Sequence, residues 1–301
     1  MSWDVVGVGA SCVDHVCRLP VFPEAGGARA KLRMQSQTRS CGGQTATALA
    51  TCSSLGLRAA YLGAVGDDDD GRRIRRELAA RGVNVDRVVV GASSTATATI
   101  LLDATGDRIV LWHREPALCF PPDQLPTDLI ASARVLHVDD VDEPAAIEAA
   151  RLAGAAGIPV TCDIDHVTPA TGELIRFISH PVLAEGVPLE LTGETDPERA
   201  LRRLRRSHSG RLVVTLGEKG ALALDGNTIV AMPAFPVAVV DSTGVGDVFR
   251  GAYIFAILQD WPLVTALRFA NAAAAVSCTK PGAMGGVPSL PEVEALLRSR
   301  P

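Results

Sequence analysis

The sequence predicts an α/β fold: a mainly parallel sheet sandwiched by helices, with a small β lid. Three observations predict it. Short valine-rich runs alternate with helical periodicity along most of the chain, and that order implies a parallel sheet covered on both faces. Two segments, about 14–38 and 95–112, break the alternation and read as the lid. The stretch Val239–Gly251 passes through glycines into a helix, the kind of turn where such sheets bind ligands. The 301 residues read as a single domain, 1–301.

Val5-Val6-Gly7-Val8-Gly9 is a buried first strand. Val13 to Thr38 cannot be one element, because Pro20, Pro23, Gly26 and Gly27 interrupt it. Ala46, Leu49, Ala50 and Leu55 space a helix that ends near Gly56. Ala59–Gly63 is a second strand, and Asp70–Arg81 a helix closed by Gly82. Thr95–Leu102, a turn at 103–107 and Ile109–Trp112 form a hairpin. Val135–Val138, Pro144–Ala156 and Val160–Cys162 continue as strand, helix, strand. Pro197–Arg206 is a helix and Arg211–Leu216 a strand, followed by a strand pair at Ala221–Leu224 and Thr228–Ala231. Val237–Val240 reads as an edge or entry strand, Asp247–Leu258 as a helix, and Trp261–Thr279 and Leu290–Leu297 as the closing helices.

Apolar residues make up 47% of the chain and charged residues 21%, enough for a large core and too apolar for long disorder. The net charge of −5 and the lack of a long basic tract argue against a nucleic-acid partner. Arg202, Arg203, Arg205 and Arg206 read as a solvated helix face. No apolar run is long enough for a membrane span, and no basic region precedes the first apolar segment, so neither a membrane protein nor a signal peptide is expected. The seven cysteines are scattered without a C-x-x-C pair. They read as small buried hydrophobes of a reduced, cytoplasmic enzyme.

The chemistry concentrates at Asp241–Asp247. Gly244 and Gly246 let the backbone approach a ligand, and a helix N-terminus adds unpaired N–H donors and partial positive charge. Such an anion hole suits a transferring phosphoryl group, and Asp247 beside a hydroxyl can take its proton. A plain helix N-cap is the competing reading.

Asp241-Ser242-Thr243-Gly244-Val245-Gly246-Asp247 resembles the C-terminal signature of ribokinase/PfkB carbohydrate kinases, D-T-x-G-A-G-D. Gly66-Asp67-Asp68-Asp69-Asp70-Gly71 resembles the family's G-D-D-x-x-G segment, and Thr215-Leu216-Gly217-Glu218-Lys219-Gly220 its T-L-G-x-x-G nucleotide stretch. The resemblance covers the whole chain in order. Gly42–Thr47 and Cys278–Gly282 look closest to the sulfofructose kinase branch. It implies a ribokinase-like fold and ATP-dependent phosphorylation of a sugar hydroxyl, with a ketose-like or anionic sugar favoured. Asp247 would be the base, and the backbone of Gly244, Val245 and Gly246 the anion hole. Asp14, Gly42, Gly43 and Thr47 would hold the sugar. Thr215, Gly217, Gly220, Asn271 and Gly282 would line the nucleotide pocket. Asp241 and Thr243, with carbonyls near Ser277, Lys280 and Gly282, would match a K⁺ site, and Glu185 a shell position for the Mg²⁺ that arrives with ATP. The resemblance also implies a homodimer paired through the lid.

Four departures from the family pattern matter. Thr47 stands where ribokinase has Asn, which weighs against D-ribose. Ala184-Glu185-Gly186-Val187 does not reproduce the N-x-x-E motif, and Val245 replaces Ala. Arg250 stands one helical turn after Asp247, and two readings are open: a pair with nearby carboxylates, or a contact to an anionic substrate group. His113-Arg114 reads as a solvated loop pair, with a place facing the substrate under the lid as the alternative, and His137 as a core histidine. The acidic cluster Asp139, Asp140, Asp142 and Glu143 follows a strand's carboxyl end and reads as one substrate contact, the rest being a helix N-terminal charge cluster before Pro144, while Asp163-Ile164-Asp165-His166 ends a strand without an assignable role.

A dinucleotide-dependent oxidoreductase is excluded because Gly7-Val8-Gly9 lacks the third glycine and does not open a helix. No P-loop motif occurs. A non-catalytic sugar or nucleotide-binding regulator on the same fold and a nucleoside kinase remain as alternatives.

Overall fold

The computed structural model describes residues 2–105 and 108–300. Its strands are β1 (Trp3–Val8), β2 (Cys12–Arg18), β3 (Ser36–Gly42), β4 (Ala59–Leu62), β5 (Ala64–Gly66), β6 (Val89–Gly91), β7 (Thr97–Leu102), β8 (Arg108–His113), β9 (Ala133–Asp139), β10 (Val160–Asp163), β11 (Val182–Ala184), β12 (Leu212–Thr215), β13 (Ala221–Asp225) and β14 (Thr228–Met232). Its helices are α1 (Gln44–Ser54), α2 (Asp69–Ala80), α3 (Thr127–Ala131), α4 (Glu143–Ala155), α5 (Thr171–Phe177), α6 (Gly186–Thr192), α7 (Pro197–Leu204), α8 (Val245–Leu258), α9 (Leu263–Cys278), α10 (Ala283–Gly286) and α11 (Leu290–Ser299).

The central layer is a parallel sheet of order β10-β9-β1-β4 beside a mixed sheet β11-β12-β13-β14. Parallel bridges Thr161↔His180 and Ile164↔Leu183 join them. Successive residues of a strand point to opposite faces, and here they enter two different cores. Val5, Val135 and Val213 pack with residues of α1, α2, α8 and α9. Val6, Leu136 and Val214 pack with residues of α3, α4, α5 and α7. Each fully buried valine or leucine contributes about 1.5–3 kcal/mol, so these two cores fix the strand ends firmly. The expected sheet with helices on both faces is therefore present.

The lid is a separate sheet of order β3-β2-β7-β8. The Pro/Gly-rich stretch between β2 and β3 turns the chain back, so that both strands of the 14–38 region pair antiparallel. β7 and β8 form the expected hairpin. Of its expected turn, 106–107 lie outside the described residues. Asp68 ties the lid to the helical layer: its carboxylate caps α2 by accepting from Gly71 N (2.8 Å) and also accepts from Thr95 N (2.8 Å) just before β7.

One expected strand is absent. Among the described residues, Val237–Val240 forms no ladder, and the main-chain tie found for it is Val240 N to Cys278 O (2.8 Å). Valines favour strands only where a partner strand and a packed face are available. Here Pro233 and Pro236 precede the segment, and Val239 and Val240 stay exposed.

Candidate active site

A cavity of about 1100 Å³ opens at the carboxyl ends of β1, β9, β10 and β12, between the sheet and the inner face of the lid. Opposed residues of β7 and β8, Ala98 with Trp112 and Ile100 with Val110, share a lid face, and all four line the cavity. Asp14 pairs with Ala98 in the next strand and lies on that face, as the strand periodicity requires.

At the lid end, Asp14 is only 4% exposed and accepts from the Cys12 thiol (3.2 Å). Burial pushes its carboxyl up to about 6. Gly42 stands directly behind it: any Cβ there would overlap the Asp14 carboxylate, so only glycine permits this approach. Gly43 follows as the cap of α1 and lines the cavity. Thr47 lies one turn further, with its hydroxyl buried and unpartnered. If Asp14 holds sugar hydroxyls, Asp14→Ala raises the sugar KM about 10–100-fold while the ATP KM stays within twofold, since a lost hydrogen bond to a charged group is worth about 1.5–3 kcal/mol. Initial-rate kinetics with each substrate varied checks this.

The floor of the cavity is the start of α8. Gly244 caps it at φ +73°, a conformation that glycine adopts without strain. The first intrahelical bond is Val248 N to Gly244 O (3.0 Å), so the N–H groups of Val245, Gly246 and Asp247 come before the ladder starts. Asp247 occupies this first turn and lines the cavity. Burial, partly offset by Arg250, pushes its carboxyl up to about 7, and the charges of Asp165 and Asp14 add to the rise. A base poised near neutrality suits proton abstraction from an alcohol.

At the far end, Thr215, Gly217 and Gly220 line the wall after β12. Asn271 of α9 lines it too, held by bonds to the Met232 and Pro233 carbonyls (2.9 and 3.0 Å). Gly282 is not among the residues that line the cavity, and its N–H is bonded to Asp241 Oδ2 (2.9 Å). Asp241 Oδ1 accepts from Thr243 N (2.9 Å), and the Thr243 hydroxyl is buried without a partner. Ser277 is buried, and its hydroxyl donates to Ala274 O (2.8 Å). Lys280 turns away to Glu292 (2.6 Å), which holds that carboxyl down at about 2. Glu185 begins α6 and faces Lys219 at 3.8 Å.

The structure also brings in residues that the motifs did not single out. Asp140 accepts from Asp165 N and His166 N (2.9 and 3.0 Å) and from the Gln44 amide (3.2 Å), which links three strand-end loops. Asp139 braces the first loop, accepting from Ala10 N (2.6 Å) and the Thr45 hydroxyl (2.7 Å). Arg108 of the lid donates to the carbonyl and hydroxyl of Ser242. Arg114 is not a solvated loop residue: it donates to both oxygens of buried Asp142 at 2.8 Å. Burial holds His137 as the neutral core histidine the sequence suggests, its pKa pushed down to about 3. Arg250 lies within the wall and is paired with Asp163. Acidic and hydroxyl residues clustered directly after strands were the only sequence signal for these groups.

An α/β sheet with a buried carboxyl on a glycine-capped helix and a β lid over one mouth is the arrangement expected of a phosphotransferase of small molecules. The chain matches the pfkB family carbohydrate kinase over residues 5–290 and belongs to that family. It is an ATP-dependent carbohydrate kinase with a ribokinase-like fold. It is 32% identical over 285 residues to a probable fructokinase-4 of Arabidopsis thaliana, covering 85% of this chain and 87% of that one. Among solved structures it is similar to a putative ribokinase from Agrobacterium tumefaciens (TM-score 0.92, 27% identical, 99% of this chain and 98% of that one). It is also similar to the ribokinase of Arabidopsis thaliana complexed with ribose and ATP (TM-score 0.85, 25% identical, 99% of each chain).

Proposed function

We propose that the chain transfers the γ-phosphoryl of ATP to a hydroxyl of a neutral, ketose-like sugar, with Asp247 as base. The observation that carries this reading is the placing of two carboxyls in one cavity. Asp14 lies under the lid, and Asp247 lies at the helix start beside unpaired N–H groups. A sugar held by Asp14 and the Gly43 backbone presents a hydroxyl to Asp247. Asp247 accepts the proton as the oxygen attacks phosphorus, and the Gly244–Gly246 backbone receives the charge that develops on the phosphoryl oxygens. Thr215, Gly217, Gly220 and Asn271 would hold the nucleotide, with Gly282 closing over it. ATP consumption across ketoses, aldoses, nucleosides, sugar acids, sugar phosphates and sulfosugars, with Asp247→Asn as blank, tests the reading. Turnover on a nucleoside alone, or ATP binding without any turnover, would replace it with the nucleoside-kinase or regulator alternative.

An anionic sugar, including the sulfosugar suggested by Gly42–Thr47 and Cys278–Gly282, is the second reading. Arg108 and His113 at the lid side of the cavity favour it. Arg250 is held by carboxylates instead of facing an anion alone.

The residues present fit the implied ions. Asp241 with the orphaned Thr243 hydroxyl and the carbonyls near Ser277, Lys280 and Gly282 would hold K⁺, which neutralises charge beside the anion hole. Mg²⁺ would enter with ATP on phosphates and water, and half-exposed Glu185 is suited to a water-mediated contact only. Seven unpaired thiols fit a reducing, cytoplasmic setting.

The outer face of the lid supports a homodimer. Ile109 and Leu111 alternate with the cavity-facing residues of β8 and stay exposed, on an edge strand with open hydrogen-bonding groups. Light scattering at micromolar concentration gives a dimer mass that Leu111→Glu converts to monomer. A monomeric mass for the unaltered chain refutes the pairing.

A further inference from the structure

Arg250 is 3% exposed, yet it belongs to the wall of the reaction cavity. Its Nη2 lies 2.7 Å from Asp163 Oδ1 and 3.2 Å from Asp165 Oδ1, while Nη1 packs against Gly246. Asp163 is fully buried at the end of β10, and no aligned hydrogen bond reaches either of its oxygens. The ion pair with Arg250 is therefore its support. A buried carboxylate of this kind is costly unless a charge or proton answers it. Asp247 lies one helical turn before Arg250, on the same side of α8. Three carboxyls thus share one guanidinium.

The groups facing Asp247 come from every element around it. Arg250 stands on its own helix, Asp163 and Asp165 at the end of β10, and Asp14 and Cys12 on β2. His137 of β9 and Asp140 face the Arg250–Asp163 pair from the other side.

We infer that Arg250 and Asp163 form a positioning pair that holds Asp247 in place and keeps it ionised for proton abstraction. This rests on the reading of Asp247 as the base. Asp163, buried among these like charges, is pushed well above the ordinary carboxylate range, with Arg250 opposing the rise. Arg250 lowers both carboxyls, and a proton that stays on Asp163 faces Asp247 as a hydrogen-bond donor, which lowers Asp247 further. Neither partner of the pair has to touch substrate to do this.

The pH profile of kcat/KM separates this role from a structural one. Arg250→Met removes the charge and keeps the bulk. It moves the acid limb up by about one pH unit or more, so that activity at neutral pH falls about tenfold and returns as the pH is raised. The KM for ATP stays within twofold. Arg250→Lys keeps the charge and leaves the limb within about 0.3 unit of the parent. Asp163→Asn keeps a donor beside Asp247 and leaves the limb at or below the parent position, while Asp163→Ala, which lacks one, moves it up. An unmoved limb in Arg250→Met, or an equal shift in Arg250→Lys, overturns the inference while leaving Asp247 as base. If Arg250→Met does not fold, Arg250→Gln, which removes the charge and keeps polar donors, decides alone, and an unmoved limb there is equally fatal. Full activity in Asp247→Asn removes the base reading and this inference together.

Discussion

Asp247→Asn lowers kcat by about 10²–10⁴, the range that general base catalysis supplies, and leaves ATP affinity within about twofold. The amide matches the carboxylate in shape and keeps the start of α8 intact, but it cannot accept the hydroxyl proton. In the unaltered protein, the Asp247 carboxyl is held up to about 7, chiefly by burial. With Asp247 as base, the active form is the ionised one. Between about pH 7 and 6, kcat/KM therefore falls tenfold per pH unit, more steeply below about 6 where Asp14 also takes up a proton, and above pH 7 the rate is flat until another group titrates. Initial rates across pH 5–9 on the substrate found in the panel check the slope and the midpoint. A midpoint near 4 would mean that the carboxyl is solvated in the enzyme as it works. Residual activity within tenfold of the parent in Asp247→Asn would mean that another group takes the proton.

Gly244→Ala is the second large effect. The residue sits at φ +73°, and a Cβ there would come within 2.7 Å of the Ala283 Cβ and 2.8 Å of its Cα. The left-handed conformation costs an alanine about 1–2 kcal/mol. The contact is with backbone and a short side chain, so it can be relieved only by moving α10 or the cap. Either movement turns the N–H groups of Val245 and Gly246 away from where the proposed anion hole would receive the phosphoryl group. Loss of one such donor costs about 10²–10³ in kcat. The expected result is a kcat at least 100-fold lower, about 1–2 kcal/mol less stability by thermal or denaturant unfolding, and a sugar KM changed far less. A variant with full stability and full kcat would show that the anion hole lies elsewhere.

The layered fold was legible because its cause is local. Runs such as Val5–Val8 and Val135–Val138 bury both faces, and a parallel sheet between helices is the arrangement that accommodates them. The Asp241–Asp247 loop was legible for a similar reason, since glycines before a helix start have few other uses. Val237–Val240 misled because strand preference depends on a neighbour, and no partner strand lies beside it. Three-residue strands such as β5, β6 and β11 were invisible, being too short to show a period. The sequence offered Arg250 a carboxylate partner, and the structure supplies two, Asp163 and Asp165, whose identity was beyond reach on different grounds. Arg250 and Asp165 are 85 positions apart, and only the folded sheet brings the end of β10 under the start of α8. The carboxylates that brace the site, Asp139 and Asp140, stood in an acidic cluster whose members could not be told apart by type.

The alternation within β7 and β8 gives the lid two separately adjustable registers. Positions 98, 100, 110 and 112 set the shape of the wall that a substrate meets. Positions 99, 101, 109 and 111 share the opposite face and meet whatever lies outside. A library confined to the first set would retune substrate preference without altering the outer surface, and one confined to the second would retune association without reshaping the wall. If the lid pairs as proposed, substrate choice and assembly can therefore drift independently in this chain, although the residues that govern them are immediate neighbours along the same two strands.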